Sequence, residues 1–298
     1  MGVDIESARF LMSASRQGVS YEYCLTLGRQ NFQLGVSETR ILLKEFGLAA
    51  EKANEILVGS YPRYAEGFFR FLGALQVDSM DASKYESATV LHDLNLPIPE
   101  ALKNRFTAVV DAGTLEHVFN FPVAIRNCME MTKVGGHFLA LTPSNNYCGH
   151  GFYQFSPELF YRVLNAQNGF TVERMIAMEC GPFRRWFEVK DPELIRSRVT
   201  LTNSFPLILL VQAKKVADVP KLVDVPQQSD YSATWNEHST NSPLTFPHQV
   251  TNERSLKRRI LEVMPRFARV LEAFTFTSLN SNFSFRNKSR FKRITNKT

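Results

Sequence analysis

The stretch from Phe106 to Phe160 constrains this chain more than any other. It opens with a short, mostly apolar run, Phe106 to Val110, that stops at the polar turn Asp111-Ala112-Gly113-Thr114. An amphipathic stretch follows from Leu115 to Met131, then the turn Lys133-Val134-Gly135-Gly136. A second apolar run, His137 to Leu141, ends in a polar cluster from Thr142 to His150. Short apolar runs bounded by turn residues suit strands buried on both faces, and the longer amphipathic stretch suits a helix packed over them. The pattern predicts strand, helix, strand, the unit of a parallel sheet. Both strands end in polar loops, and open parallel sheets bind ligands at strand C-terminal ends.

The same alternation extends along the chain. Tyr21 to Leu27 reads as a strand that stops at Gly28-Arg29-Gln30. Ser37 is the expected N-cap of a helix carrying Ile41, Leu42 and Phe46, and Ala65 to Leu75 reads as another helix, ending near Gly73. Val77 to Met80 predicts a strand reaching Asp81, and Ala88 to His92 one reaching Asp93. Ser156-Pro157-Glu158 opens a further helix, with Ser as cap and Pro in the first turn. Phe170 to Met178 and Phe205 to Ala213 supply two more strands. Strands alternating with helices predict an α/β fold with a mainly parallel sheet covered on both faces.

Length and composition bound the organisation. A chain of 298 residues holds one sizeable α/β domain plus appendages. The expected division is a helical lead-in over 1–20, a main domain over 21–216 with a helical insertion near 31–64, a linker over 217–250 and a basic arm over 251–298. The longest apolar run, Phe205 to Val211, is strand-sized and too short to span a bilayer. No basic stretch followed by an apolar core opens the chain, so no secretory signal is expected. Cys24, Cys128, Cys148 and Cys180 are widely spaced, which argues against structural zinc and against a disulfide framework. A cytoplasmic location and no bound metal are the resulting expectations.

The net charge of +6 is unevenly placed. Twelve basic and three acidic residues from Thr251 onward give the arm +9, leaving the body at −3. Pro220, Pro226, Pro243 and Pro247 mark the linker before it. The arm regains helical periodicity over Arg254 to Phe274, broken at Pro265, and from Ser278 onward its Asn, Ser, Lys and Arg content reads as disorder. Its interleaved aromatics would suit an anionic membrane surface. The acidic body speaks against a dedicated nucleic-acid groove.

At this point the chain resembles class I S-adenosylmethionine-dependent methyltransferases, over roughly Tyr21 to Ala213. The resemblance lies in Val109-Val110-Asp111 followed by Thr114-Leu115-Glu116-His117-Val118, and in the turn Lys133-Val134-Gly135-Gly136-His137 at the expected separation. It implies a Rossmann-like, mainly parallel seven-stranded sheet with helices on both faces and the last strand antiparallel. It also implies S-adenosylmethionine as cofactor, with Asp81 on the ribose hydroxyls, Asp93 and Leu94 at the adenine, and Gly28, Arg29, Asp111 and Gly113 lining the rest. The first turn departs from the family, having one glycine, no acid and Arg29 in their place. Arg29 would either pair with the cofactor carboxylate or occlude the pocket.

His117 is the expected general base and Glu116 its orienting or cofactor-touching neighbour, since a positioned base contributes roughly 10²–10⁴-fold. Both residues also read as structural, capping a helix. Asn145, Asn146, His150, Tyr153 and Gln154 could read a small polar acceptor, a sugar or glycan intermediate among them, or could satisfy their own loop. Two alternatives stand beside a methyltransferase. One is a non-catalytic binding or scaffold protein that keeps the fold; the other is a nucleotide-sugar or dinucleotide enzyme, disfavoured because no G-x-G-x-x-G follows a first strand.

Overall fold

The structure, a computed structural model, describes residues 2–60, 64–232 and 284–295. The elements, in chain order, are β1 (Gly2–Val3), α1 (Ile5–Arg16), β2 (Tyr23–Leu27), β3 (Asn31–Phe32), α2 (Val36–Glu45), α3 (Lys52–Gly59) and α4 (Glu66–Phe71). Then come β4 (Gln76–Asp81), β5 (Val90–Leu91), β6 (Phe106–Asp111), α5 (Phe121–Met131), β7 (Thr132–Pro143) and α6 (Pro157–Val163). β8 (Phe170–Glu179), β9 (Arg185–Val189), β10 (Leu207–Lys215) and β11 (Phe291–Ile294) complete the set.

The expected Rossmann-like α/β architecture is present. The main sheet runs β11-β9-β8-β10-β7-β6-β2-β4-β5. From β7 to β5 all pairings are parallel, and β10 inserts antiparallel between β7 and β8. The described sheet therefore has nine strands rather than seven. β9 and β11 extend it antiparallel beyond β8. β1 and β3 form a separate two-stranded parallel ribbon.

Period-two alternation sorts the side chains between two cores. Leu25, Leu27, Val109, Phe138 and Ala140 face the side covered by α5 and α6, where Ala124, Cys128, Phe160 and Val163 meet them. Cys24, Ala108, Val110, Leu139 and Leu141 face the side covered by α1 to α4, against Phe10, Leu42, Ile56 and Phe68. Every residue of β6 is buried, as a strand covered on both faces requires.

Several local expectations are corrected. Gly35, not Ser37, caps α2, and the Glu38 carboxylate accepts from the Gly35 amide at 3.0 Å. The stretch expected to be helical from Leu115 onward forms one turn, Leu115–His117, then breaks before α5. Pro122 disfavours helix at the residue before it and suits a first turn, so the helix restarts there. Lys133–Gly136, expected as a turn, is instead the opening of β7; Gly135 there has φ +83°, and a Cβ on Gly136 would lie 2.8 Å from the Thr107 carbonyl oxygen. The linker beyond residue 232 and the arm up to residue 283 lie outside the described residues. The disorder expected from Ser278 onward is corrected at Phe291–Ile294, which forms an edge strand with Phe291 buried.

Candidate functional site

The parallel strands deliver the expected residues to one sheet edge, the C-terminal one. Gly28 follows β2, Asp81 ends β4, Asp93 and Leu94 follow β5, and Asp111 ends β6, with Gly113 in the turn beyond. Gly28 has φ +67°, and a Cβ there would lie 3.1 Å from Thr114 Oγ1. That hydroxyl donates to the Leu27 carbonyl at 2.8 Å, tying the β6 loop to the end of β2. Asp81 Oδ1 accepts from the Ser83 amide and hydroxyl at 2.7 and 3.2 Å. Asp93 is exposed and accepts from the Asn95 amide and side chain; those bonds hold its carboxyl below the usual range. Leu94 is instead a core residue, packed on the α5 side of the sheet.

Arg29 is engaged by the protein itself. Its Nε lies 2.6 Å from Glu66 Oε1, its Nη1 donates to the Glu86 carbonyl at 3.1 Å, and its guanidinium sits 3.9 Å from the centre of the Tyr64 ring. Planar stacking and an ion pair together fix the side chain. Whether Arg29 pairs with a cofactor carboxylate or occludes the pocket, its guanidinium is already engaged by Glu66, Glu86 and Tyr64.

The sharpest cluster lies where the loops after β6 and β7 meet. Asp111 is fully buried, and its Oδ1 accepts from the amides of Thr114 and Leu115 at 2.8 and 3.4 Å. Among the described residues Asp111 Oδ2 has no hydrogen-bond partner. Glu116 is also fully buried, and its Oε2 has no hydrogen-bond partner among the described residues. Burial drives both carboxyls upward from their ordinary range, and the charge of Glu116 adds to the rise at Asp111. Glu116 Oε1 lies 3.3 Å from His150 Nε2 and 3.9 Å from His117 Nε2. The two imidazoles meet edge to face, ring centres 5.0 Å apart. Burial and the neighbouring His150 both lower the His117 pKa, which favours the neutral imidazole.

The backbone builds this contact. The Glu116 carbonyl accepts from the amides of Phe152 and Tyr153 at 2.7 and 3.2 Å, docking the second loop onto the first. Gly151 permits it, with φ +72° and space so tight that a Cβ would lie 2.7 Å from the Glu116 oxygen. Tyr147 joins the cluster, its ring 5.7 Å from His150 and its hydroxyl 3.8 Å from Cys180 Sγ.

The other loop residues are spent differently. Asn145 Nδ2 donates to the Leu201 carbonyl, and Asn146 Nδ2 donates to the carbonyls of Asn203 and Phe205. The Tyr153 hydroxyl donates to the Phe119 carbonyl at 2.6 Å. Asn145 and Gln154 line a separate cavity of about 180 Å³, with Val199, Leu201 and Phe291. The sequence pairs Glu116 with His117 as base and neighbour but sets His150 and Tyr147 apart in an acceptor-facing loop, and it gives Cys180 no role at the site. The available signal was that β6 and β7 are neighbouring strands, so polar residues on their following loops converge.

No protein-family model and no curated protein sequence matches the chain. Among solved structures it is similar to the branched-chain polyamine synthase of Thermus thermophilus, at 13% identity over 73% of this chain and 58% of that one, TM-score 0.38. It is similar to the 1,6-didemethyltoxoflavin-N1-methyltransferase of Burkholderia thailandensis, a complex with S-adenosylhomocysteine, at 11% identity over 72% and 80%, TM-score 0.40. The YcgJ protein of Bacillus subtilis gives 12% identity over 71% and 99%, TM-score 0.36. The fold itself rests on the strand order and the pairing directions rather than on these likenesses.

Proposed function

We propose that the chain is an S-adenosylmethionine-dependent methyltransferase acting on a small polar acceptor. One observation carries the reading: the sheet order, with β10 antiparallel between β7 and β8, sets Gly28, Asp81, Asp93 and Asp111 along a single ligand-binding edge. The motifs that resemble the family, Leu115–Val118 and Lys133–Gly136, occupy the loop after β6 and the first residues of β7. In this reading Asp81 accepts from the ribose diol, since among the described residues its Oδ2 has no protein partner. Methyl transfer is a displacement that depends on alignment of acceptor, methyl and sulfur. The acceptor gives its proton to the His117 imidazole as the methyl is transferred, with Glu116 and His150 converging beside it from the adjoining loops.

The acceptor is proposed as small and polar, with a sugar or glycan intermediate as its finer form. That finer form has narrower support, because Asn145, Asn146 and Tyr153 commit donor groups to the protein backbone. The competing reading, a binding protein that keeps the fold, is favoured by one feature: Arg29 is pinned by Glu66 and Tyr64 where the family has a glycine-rich turn.

Calorimetric titration of the full chain with S-adenosylhomocysteine separates the two. Saturable binding is expected, weakened at least about tenfold by Asp81→Asn, the equivalent of roughly 1.4 kcal/mol for one charge-assisted hydrogen bond. Folded wild-type protein that takes up no S-adenosylhomocysteine would sink the enzyme reading.

A further inference from the structure

We infer that Glu116, His117 and His150 form a binding site for a divalent transition-metal ion. The sequence reading expected no metal, because it judged metal binding from the cysteines. The fold assembles a different ligand set from two loops. One carboxylate oxygen and two imidazole nitrogens all lie within 4.8 Å of one another. Zinc–ligand bonds of about 2.1 Å place donors at most about 4.2 Å apart across the ion. The Glu116–His150 and Glu116–His117 separations of 3.3 and 3.9 Å already fall inside that limit. A modest rotation of the half-exposed His117 brings in the third donor.

Three independent features fit an ion rather than a chance polar contact. Glu116 is fully buried, and among the described residues its Oε2 lacks a hydrogen-bond partner and no lysine or arginine pairs with it. A buried carboxylate without a cation is costly, and a metal supplies the missing charge. Secondly, the backbone pre-sets the cluster, since the Glu116 carbonyl itself anchors the loop that carries His150. Thirdly, exposure is graded: Glu116 is sealed, whereas the side chains of His150 and His117 are 33% and 49% exposed. An ion held there keeps open positions toward the outside, as catalytic metal sites do and structural ones do not. Two imidazoles and one carboxylate suit zinc, manganese, iron or cobalt in preference to magnesium or calcium.

The site stands on its own geometry; only its role rests on the methyltransferase reading. In that role the ion's open positions hold the acceptor's oxygen or nitrogen beside the transferred methyl, and His117 serves as ligand in place of base.

The test uses the full chain, stripped with chelator and titrated with Co²⁺, Mn²⁺ and Zn²⁺ chlorides. One ion per chain is expected, with visible cobalt absorption showing imidazole ligation. His117→Ala and His150→Ala should each weaken binding by more than about 100-fold, exceeding typical losses from outer-shell partners. His92→Ala should leave binding unchanged, and thermal melts of each variant keep unfolding apart from ligand loss. A wild type without saturable binding, or a His117→Ala/His150→Ala double variant that binds as tightly as wild type, overturns the inference. S-adenosylhomocysteine titration of the same samples reads the other proposal separately. Metal binding without it upholds the site and removes the enzyme reading; the converse removes the site and leaves that reading intact.

Discussion

Gly151→Ala is the most direct perturbation of the cluster, because the structure fixes its cost in advance. Gly151 has φ +72°, in the left-handed region, which costs an alanine about 1–2 kcal/mol. The new methyl would lie 2.7 Å from the Glu116 carbonyl oxygen and 3.1 Å from its carbonyl carbon, so backbone must give way rather than a flexible side chain. That oxygen accepts from the amides of Phe152 and Tyr153, and losing one of those bonds costs about 1 kcal/mol more. The docked loop is therefore destabilised by about 2–3 kcal/mol, on the order of 30- to 150-fold in the docked-to-undocked ratio. Amide hydrogen exchange of Phe152 and Tyr153 reports that opening locally, without requiring global unfolding. Gly149→Ala is the matched control: no atom lies within 4 Å of a Cβ there, and its backbone is not left-handed. Unchanged protection of both amides in Gly151→Ala, or equal losses in the two variants, would refute the docking argument.

Two further outcomes follow from other parts of the fold. Removing residues 284–298 strips β11 from the edge of β9, takes the buried Phe291 out of the core and leaves Phe187 without the Phe285 ring stacked on it at 3.9 Å. Burial of one phenylalanine is worth about 1.5–3 kcal/mol, so the denaturant midpoint should fall measurably; an unchanged midpoint would show that the strand contributes nothing. The buried Lys215 ammonium, 3.0 Å from Asp218, holds that carboxyl below its usual range, chiefly through their hydrogen bond. The charged form is the one favoured by folding, so its stabilisation is present above about pH 4 and lost as pH falls through the lower folded value. Asp218→Asn should therefore be less stable than wild type near neutrality, with the gap closing in acid; a gap that widens below about pH 4 contradicts the sign.

What the sequence revealed follows from how far each determinant reaches. The parallel strands were legible because β6 and β7 carry runs buried on both faces, and such runs need no partner to be recognised. The two-residue strands β1 and β3 left no periodic signal, since neither is long enough to show an alternation. β11 was hidden by its composition: Lys292 and Arg293 read as a solvated tail, although only Phe291 needs to be buried for the strand to dock. The helix break before Pro122 was legible in principle and was masked by the continuing apolar pattern. At the site, residue types were readable but their convergence was not, because it depends on a left-handed Gly151 folding one loop onto the carbonyl of another.

The β2 turn and the Glu116 cluster are held by different side chains. Gly28 and Arg29 follow β2, whereas Glu116, His117 and His150 follow β6 and β7. Arg29 is held by Glu66, Glu86 and Tyr64, all outside the Glu116 cluster. A change at Arg29 can therefore alter ligand access at β2 without disturbing the buried carboxylates, and a change at His150 can disarm the cluster without touching the first turn. Sites without shared partners behave additively, to within about 0.5 kcal/mol. Arg29→Ala combined with His150→Ala should thus show S-adenosylhomocysteine binding set by the first substitution and metal binding set by the second. Loss of both ligands on replacing His150 alone would mean that the β2 turn and the cluster form one cooperative site, and that Arg29 belongs to it.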